Sequence, residues 1–193
     1  MNKVLKGCQL TTLGACLTLA LTTGVMSTTA SAASNADEVR AAQAAKISLK
    51  QAITIASKAA SGILISAEFD DDDSDAVGKG GVYELEFSTD SVNYEIKVDA
   101  VTGKIVKTET ERLDGDDIND YKVQKKAKTD IMTAINSAEK QTGGRILKIE
   151  FENDRDYANR TAYYKADLLK GNQIISINVD ANTGKTFANK FKK

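Results

Sequence analysis

Val98-Asp99-Ala100-Val101-Thr102-Gly103-Lys104 returns near the other end of the chain as Val179-Asp180-Ala181-Asn182-Thr183-Gly184-Lys185. Each copy follows an alternating apolar run, Tyr94/Ile96/Val98 in one case and Ile175/Ile177/Val179 in the other. Alternation of this kind marks a half-buried strand. Thr-Gly-Lys then marks a tight reversal, because glycine takes positive φ without steric cost. A strand, a reversal and a short return strand, used twice, indicate one building block in tandem.

Outward from this motif the two halves keep the same order. In the first, Ser48 with Gln51 fits a capping box, and Leu49, Ala52, Ile53, Ala56 and Ala60 form one helical stripe. Alanine at three of these places lets the helix lie close to whatever it covers. Gly62 is placed to end that helix. Ile63 to Phe69 reads as a strand with Ile65, Ala67 and Phe69 on one face, and Tyr83, Leu85 and Phe87 alternate with Glu84 and Glu86 in the next. In the second half Asp130 is the N-cap, Ile131, Ala134, Ile135 and Ala138 repeat the stripe, and Gly144 matches Gly62. Ile146 to Phe151, then Tyr164, Ala166 and Leu168, repeat the strands. Tyr83, Tyr94 and Tyr164 are expected in the core or in cross-strand pairs, and Tyr163 on the other sheet face.

The predicted fold class is α+β: two similar units, each one helix packed on a three- to four-stranded antiparallel sheet. Short connections favour antiparallel neighbours, and the apolar sheet face needs the helix as its cover. The expected organisation is a signal peptide at 1–32, an N-terminal arm at 33–45, a first domain at 46–112, an acidic, turn-prone linker at 113–124 and a second domain at 125–193. A unit of this size buries little core alone, so the two should pack together.

The leader reading rests on Lys3 and Lys6, a Thr-diluted apolar region from Leu10 to Met26, and Ala30-Ser31-Ala32 as the cleavage signal. Two alternatives remain. A membrane anchor would need about 20 apolar residues, and this run is broken by Thr and Gly. Leu13-Gly14-Ala15-Cys16 loosely fits a lipobox, which would make Cys16 a lipidated N-terminus, but the apolar region continues past it. The expected location is periplasmic or secreted. Cys8 and Cys16 are the only cysteines, so a chain cut after Ala32 forms no disulfide.

Composition narrows the chemistry. Hydrophobic residues at 41% and charged residues at 27% indicate a soluble globular chain. There is no His, which removes the usual Ser-His-Asp and Cys-His constellations, and Trp is absent, which leaves no aromatic sugar cleft. An enzyme is not expected, and no cofactor is. Asp70 to Asp75 is the one stretch with ligand character, since clustered carboxylates suit Ca²⁺. Asp71, Asp73 and Asp75 have the spacing of an EF-hand start, but Ala76 and Val82 stand where Gly and Glu are required. The competing reading is a solvated, self-repelling loop tip. Residues 46–112 carry net −5 and residues 125–193 net +6, so the halves can attract each other or present two different faces. Nucleic acid is not an expected partner: no motif accompanies the basic residues, and Lys190, Lys192 and Lys193 read as a solvated tail.

The capped helix with its Leu/Ile-x-x-Ala-Ile-x-x-Ala stripe, the Tyr-x-x-x-Phe-type strand and the Val-Asp-Ala-x-Thr-Gly-Lys hairpin together resemble the PepSY domain family. The resemblance covers 46–109 and again 127–189, and the doubled Asp-Ala-x-Thr-Gly-Lys is its most diagnostic part. The departures are an Asp-rich insertion after Phe69 and Gly171-Asn172 at the second hairpin. The resemblance implies a non-catalytic module of the kind found in propeptides of secreted metallopeptidases and in stand-alone envelope proteins. It implies a protein partner, with a secreted or envelope peptidase as the candidate. The family has no agreed catalytic motif, so no site residue carries over.

Overall fold

The computed structural model describes residues 29–77, 80–113, 115–157 and 160–188. Residues 1–28, with Cys8, Cys16 and most of the expected signal peptide, and the C-terminal lysines lie outside these. The elements in order are α1 (Thr29–Ala44), α2 (Leu49–Ala56), β1 (Ile63–Asp70), β2 (Val82–Ser88), β3 (Val92–Asp99), β4 (Ile105–Arg112), α3 (Gly115–Gln124), α4 (Ile131–Thr142), β5 (Arg145–Tyr157), β6 (Arg160–Lys170), β7 (Gln173–Asp180) and β8 (Thr186–Ala188). α1 begins across the Ala30-Ser31-Ala32 motif. Among the described residues no helix is long and apolar enough to cross a membrane.

The α+β plan of helix on antiparallel sheet is present in both halves. Ser48 and Gln51 form the full capping box, and the buried stripe of α2 is Leu49, Ala52, Ile53 and Ala56. Asp130 caps α4 through the Thr133 amide, and Ile131, Ala134, Ile135 and Ala138 are its buried face. Two tyrosines tie the chain just before each helix to the sheet: the Tyr83 hydroxyl donates to the Ile47 carbonyl at 2.7 Å and the Tyr164 hydroxyl to the Thr129 carbonyl at 2.7 Å. Burial raises the Tyr83 and Tyr164 pKa values to about 12, so both stay protonated donors. Each packs on an equivalent phenylalanine, Tyr83 on Phe69 at 5.4 Å and Tyr164 on Phe151 at 5.5 Å between ring centroids.

The two sheets are not separate. They join through β1 and β5 into one eight-stranded sheet of order β4-β3-β2-β1-β5-β6-β7-β8. This is the order two copies give when related by a twofold-like axis between β1 and β5. The seam is short, with Ser66, Ala67 and Glu68 paired antiparallel to Glu150, Ile149 and Lys148. α2 and α4 cover the same face, linked by Lys50 to Glu139 at 2.5 Å, and the apolar residues of both halves form one cluster. α1 adds Val39 and Ala42 to it, and Arg145 donates to the Ala42 carbonyl. Acidic side chains of the first half also meet basic ones of the second, Glu68 with Lys148 at 2.7 Å and Asp90 with Lys125 at 3.2 Å.

Three local expectations are corrected. α2 ends at Ala56 with Ser57 as its C-cap, well before Gly62. Gly62 serves instead at the entry to β1, where φ is 103° and the chain presses on Ser88. Ile65 does not share a face with Ala67 and Phe69, because a bulge between Leu64 and Ser66 shifts the phase and puts Leu64 there. The 113–124 connector is not a turn but holds α3. Its few apolar residues give no stripe, yet Tyr121 and Gln124 are buried, Gln124 donates to the Leu64 carbonyl at 2.8 Å, and Asn153 donates to Asp120 at 3.1 Å. α3 therefore caps the end of the seam where β1 begins, and tertiary contacts override its weak helical pattern.

Candidate binding site on the face opposite the helices

Strand pleating sends every second side chain away from α2 and α4, and the register lines these up in rows. One row runs Asp167, Lys148, Glu68, Glu84, Lys97, Lys107 from β6 to β4. Its charges largely compensate. The next row runs Lys165, Glu150, Ser66, Glu86, Glu95, Glu109. Here three glutamates stand side by side, an arrangement that costs stability. Beyond them Ser88, Asn93 and Glu111 are aligned across β2, β3 and β4.

Each half folds its own insertion over the outer part of this face. In the first half the acidic loop reaches β3: Lys97 is held by Asp73 at 2.5 Å and Glu84 at 2.6 Å, and Asp99 accepts from the Val77 amide at 2.8 Å. In the second half the residues matching that loop extend β5 to Tyr157, and Tyr157, Tyr163 and Phe187 form an aromatic cluster. Tyr163 lies on this face, as its phase predicts, and donates to Asp154 at 2.9 Å.

Between the two covers, at the seam, lies a cavity of about 370 Å³. Glu68, Glu86, Glu111, Asp117, Asp120 and Glu150 contribute its carboxylates, and Lys148 its single cation. Lys148 is committed to Glu68 and Glu150 at 2.7 and 3.1 Å. Burial opposes its charge, but these carboxylates outweigh that and raise its pKa. Glu150 also takes Lys165 at 2.7 Å. Burial would raise the Glu150 pKa; Lys165 and Lys148 prevail and lower it. Glu86 has no such partner. It accepts from Ser66 at 2.8 Å, and burial, reinforced by neighbouring Glu95, Glu68 and Asp117, pushes its pKa up. The alternation of Glu84 and Glu86 marks outward positions in the sequence. Nothing in the sequence shows that Ser66, Asn93 and Lys148 stand beside Glu86, because that depends on strand pairing and on the seam.

The structure does not gather the loop residues Asp71, Asp73 and Asp75 around one point. The carboxylate oxygens of Asp70, Asp73 and Glu84 do lie within 4.8 Å of one another. The Lys97 ammonium bonds two of the three, and its pKa is raised chiefly by Asp73 and Glu84. Asp75 lies 3.7 Å from Lys97, and Asp71 is partly exposed.

The repeated motif has a structural use. Asp99 is fully buried. Its Oδ1 accepts from the Val101 and Thr102 amides and the Thr102 hydroxyl. Asp180 does the same with Asn182 and Thr183. Gly103 and Gly184, with φ of 69° and 68°, donate back to the carbonyls of those aspartates. The carbonyls of Ala100 and Ala181 then receive the chain entering α2 and α4, from Lys46 and Ile47 in one half and Thr129 in the other.

A family model, PepSY, described as Peptidase propeptide and YPEB domain, matches residues 46–109 and 133–188. A solved structure of a candidate lipoprotein from Clostridium difficile 630 is 24% identical, covers 75% of this chain and 92% of its own, and gives a TM-score of 0.44. No curated protein matches the chain.

Proposed function

The chain belongs to the PepSY family and carries two copies of its domain, and from that premise we propose a non-catalytic, exported binding module that regulates a peptidase by protein contact. The observation that carries this reading is the seam cavity, whose lining comes from both repeats and from α3. The polar residues of the repeated motif are meanwhile engaged in turns. Export is supported by the leader pattern of residues 1–32, and peptidase regulation by the family description. The test is titration of the protein into purified secreted or envelope metallopeptidases from the same source, with hydrolysis of a peptide substrate as readout. Slowing at near-stoichiometric amounts is expected. Unchanged rates across those peptidases overturn the reading.

A second reading, a cation taken by the acidic loop, is supported by the proximity of Asp70, Asp73 and Glu84. Ca²⁺ would have to displace Lys97 from them. A rise in melting temperature at millimolar Ca²⁺ that Asp73→Asn abolishes is its expected result, and an unchanged melting curve removes it.

A further inference from the structure

β4 is an edge of the eight-stranded sheet, and among the described residues β3 is its one strand neighbour. Such an edge invites pairing with another chain unless proline, a cover or a short length blunts it. The chain holds no Pro, and Thr108 to Arg112 of β4 are exposed without interruption. The bulge at Lys97/Val98 lies next to Val106, so Lys107 to Arg112 form a regular ladder with β3. The Leu113 amide donates to the Ser91 carbonyl at 3.0 Å, one step beyond the Arg112–Val92 pair. Residues of an antiparallel strand turn their backbone groups to one side and the other in alternation. Lys107, Glu109 and Glu111 therefore turn theirs toward β3, and Thr108, Thr110 and Arg112 turn theirs outward.

The side chains along this edge say what fits it. On the face opposite the helices two neighbouring rows end at β4 with opposite charge, one in Lys97 and Lys107, the other in Glu86, Glu95 and Glu109. Within the chain the lysines reach these glutamates along the strands, Lys97 to Glu95 at 3.8 Å and Lys107 to Glu109 at 3.0 Å. A second copy laid antiparallel, with Thr108 on the twofold axis, puts Lys107 opposite Glu109 of the other copy, and the reverse. Each row of glutamates then runs on into the other copy's lysine row, and Thr108 meets Thr108, a favourable cross-strand pair. The outward backbone groups face one another only when the axis passes through a residue. An axis at Lys107, Glu109 or Glu111 sets that residue opposite itself, and one at Thr110 sets Glu109 opposite Glu111. Like charges directly opposite destabilise a strand pair, so the axis at Thr108 is the complementary one. The chain already contains such a joint, where its two repeats meet edge to edge at β1 and β5.

We propose that β4 pairs with β4 of a second copy of this chain, antiparallel about Thr108, so that the two sheets continue into each other. The bulge beside Val106 confines the pairing to residues 106–110 of each copy, so the dimer is a transient one that forms as concentration rises. The proposal stands apart from peptidase regulation, and the failure of either leaves the other in place.

The test is analytical sedimentation of the full chain at low salt, over concentrations rising to about 1 mM. A shift from monomer to dimer is expected. Thr108→Pro removes an outward N–H and no bond to β3, so it is expected to abolish the dimer while the monomer's melting temperature barely moves. Lys107→Glu and Glu109→Lys are each expected to weaken self-association about tenfold or more, because like charges then face each other. Both positions are half-exposed or exposed, so these variants fold even if Thr108→Pro does not. Mixed together, the two charge variants are complementary again. They are expected to form a heterodimer, read by sedimentation of one of them carrying a fluorophore. A chain that stays monomeric up to the highest concentration overturns the proposal. So does a dimer that Thr108→Pro leaves intact, or a mixture of the two charge variants that associates no better than either alone.

Discussion

Asp99→Ala is expected to cost about 3–5 kcal/mol, the range for breaking a buried charged network by removing one member. Four donors lose their acceptor: the amides of Val77, Val101 and Thr102 and the Thr102 hydroxyl. A buried donor left unpaired costs about 1–3 kcal/mol, and these losses do not add fully because they share one site. The change also frees the acidic loop, which is tied to β3 through Val77. Asp180→Ala is expected to cost less, since among the described residues Asp180 accepts from Asn182 and Thr183 and pairs with Arg160 at a loose 3.6 Å. Urea unfolding of both variants at neutral pH checks the order. The pH dependence follows from the same bonds. Burial alone would raise the Asp99 pKa, but the hydrogen bonds from Thr102, Val77 and Val101 outweigh it and hold it below the usual value. A folded-state pKa that is depressed gives stability that is present above the ordinary carboxylate range, near pH 4. That stability is lost as pH falls through the folded value. Asp99→Asn is therefore expected to flatten the acid side of the stability curve, and an unchanged slope between neutral and strongly acid pH refutes it.

Gly62→Ala is the second large effect. A Cβ at this position falls 2.1 Å from the Ser88 carbonyl oxygen and 2.5 Å from its carbon, both backbone atoms that cannot swing aside. The φ of 103° adds strain for any L side chain. Backbone strain of about 1–3 kcal/mol and overpacking of about 1–3 kcal/mol put the total near 3–5 kcal/mol. Gly171→Ala is the control, for there φ is 63° but nothing lies within 4 Å, and only the conformational part remains. Gly144→Ala falls between them, with no positive φ and a Cβ 3.0 Å from Leu168. Denaturant midpoints in the order Gly171, Gly144, Gly62 are expected; equal midpoints for Gly171→Ala and Gly62→Ala contradict the steric account.

Gly62 also shows how a sequence signal can be right about importance and wrong about role. A glycine after an apolar stripe reads as a helix stop. The helix stops earlier, at Ala56, and the glycine answers to Ser88, a residue in another strand. Ile65 is a similar case. Alternation places it with Ala67 and Phe69, and the bulge at Leu64/Ser66 sends it to the cavity. Bulges are legible only once the partner strand is known.

The sequence by itself determined the duplicated block, the capped stripes of α2 and α4, the alternating strands and the turn that each Val-Asp-Ala-x-Thr-Gly-Lys makes. All of these are set by neighbours a few residues apart, through helical and strand periodicity and the φ that glycine allows. Only the tertiary structure decided that the two sheets join at β1 and β5, that 113–124 winds into α3, and that six carboxylates, Lys148 and Asn93 line one cavity. Outward-facing polar residues carry no periodic signature of their partners. Which of them meet is fixed by edge-to-edge pairing of strands some eighty residues apart.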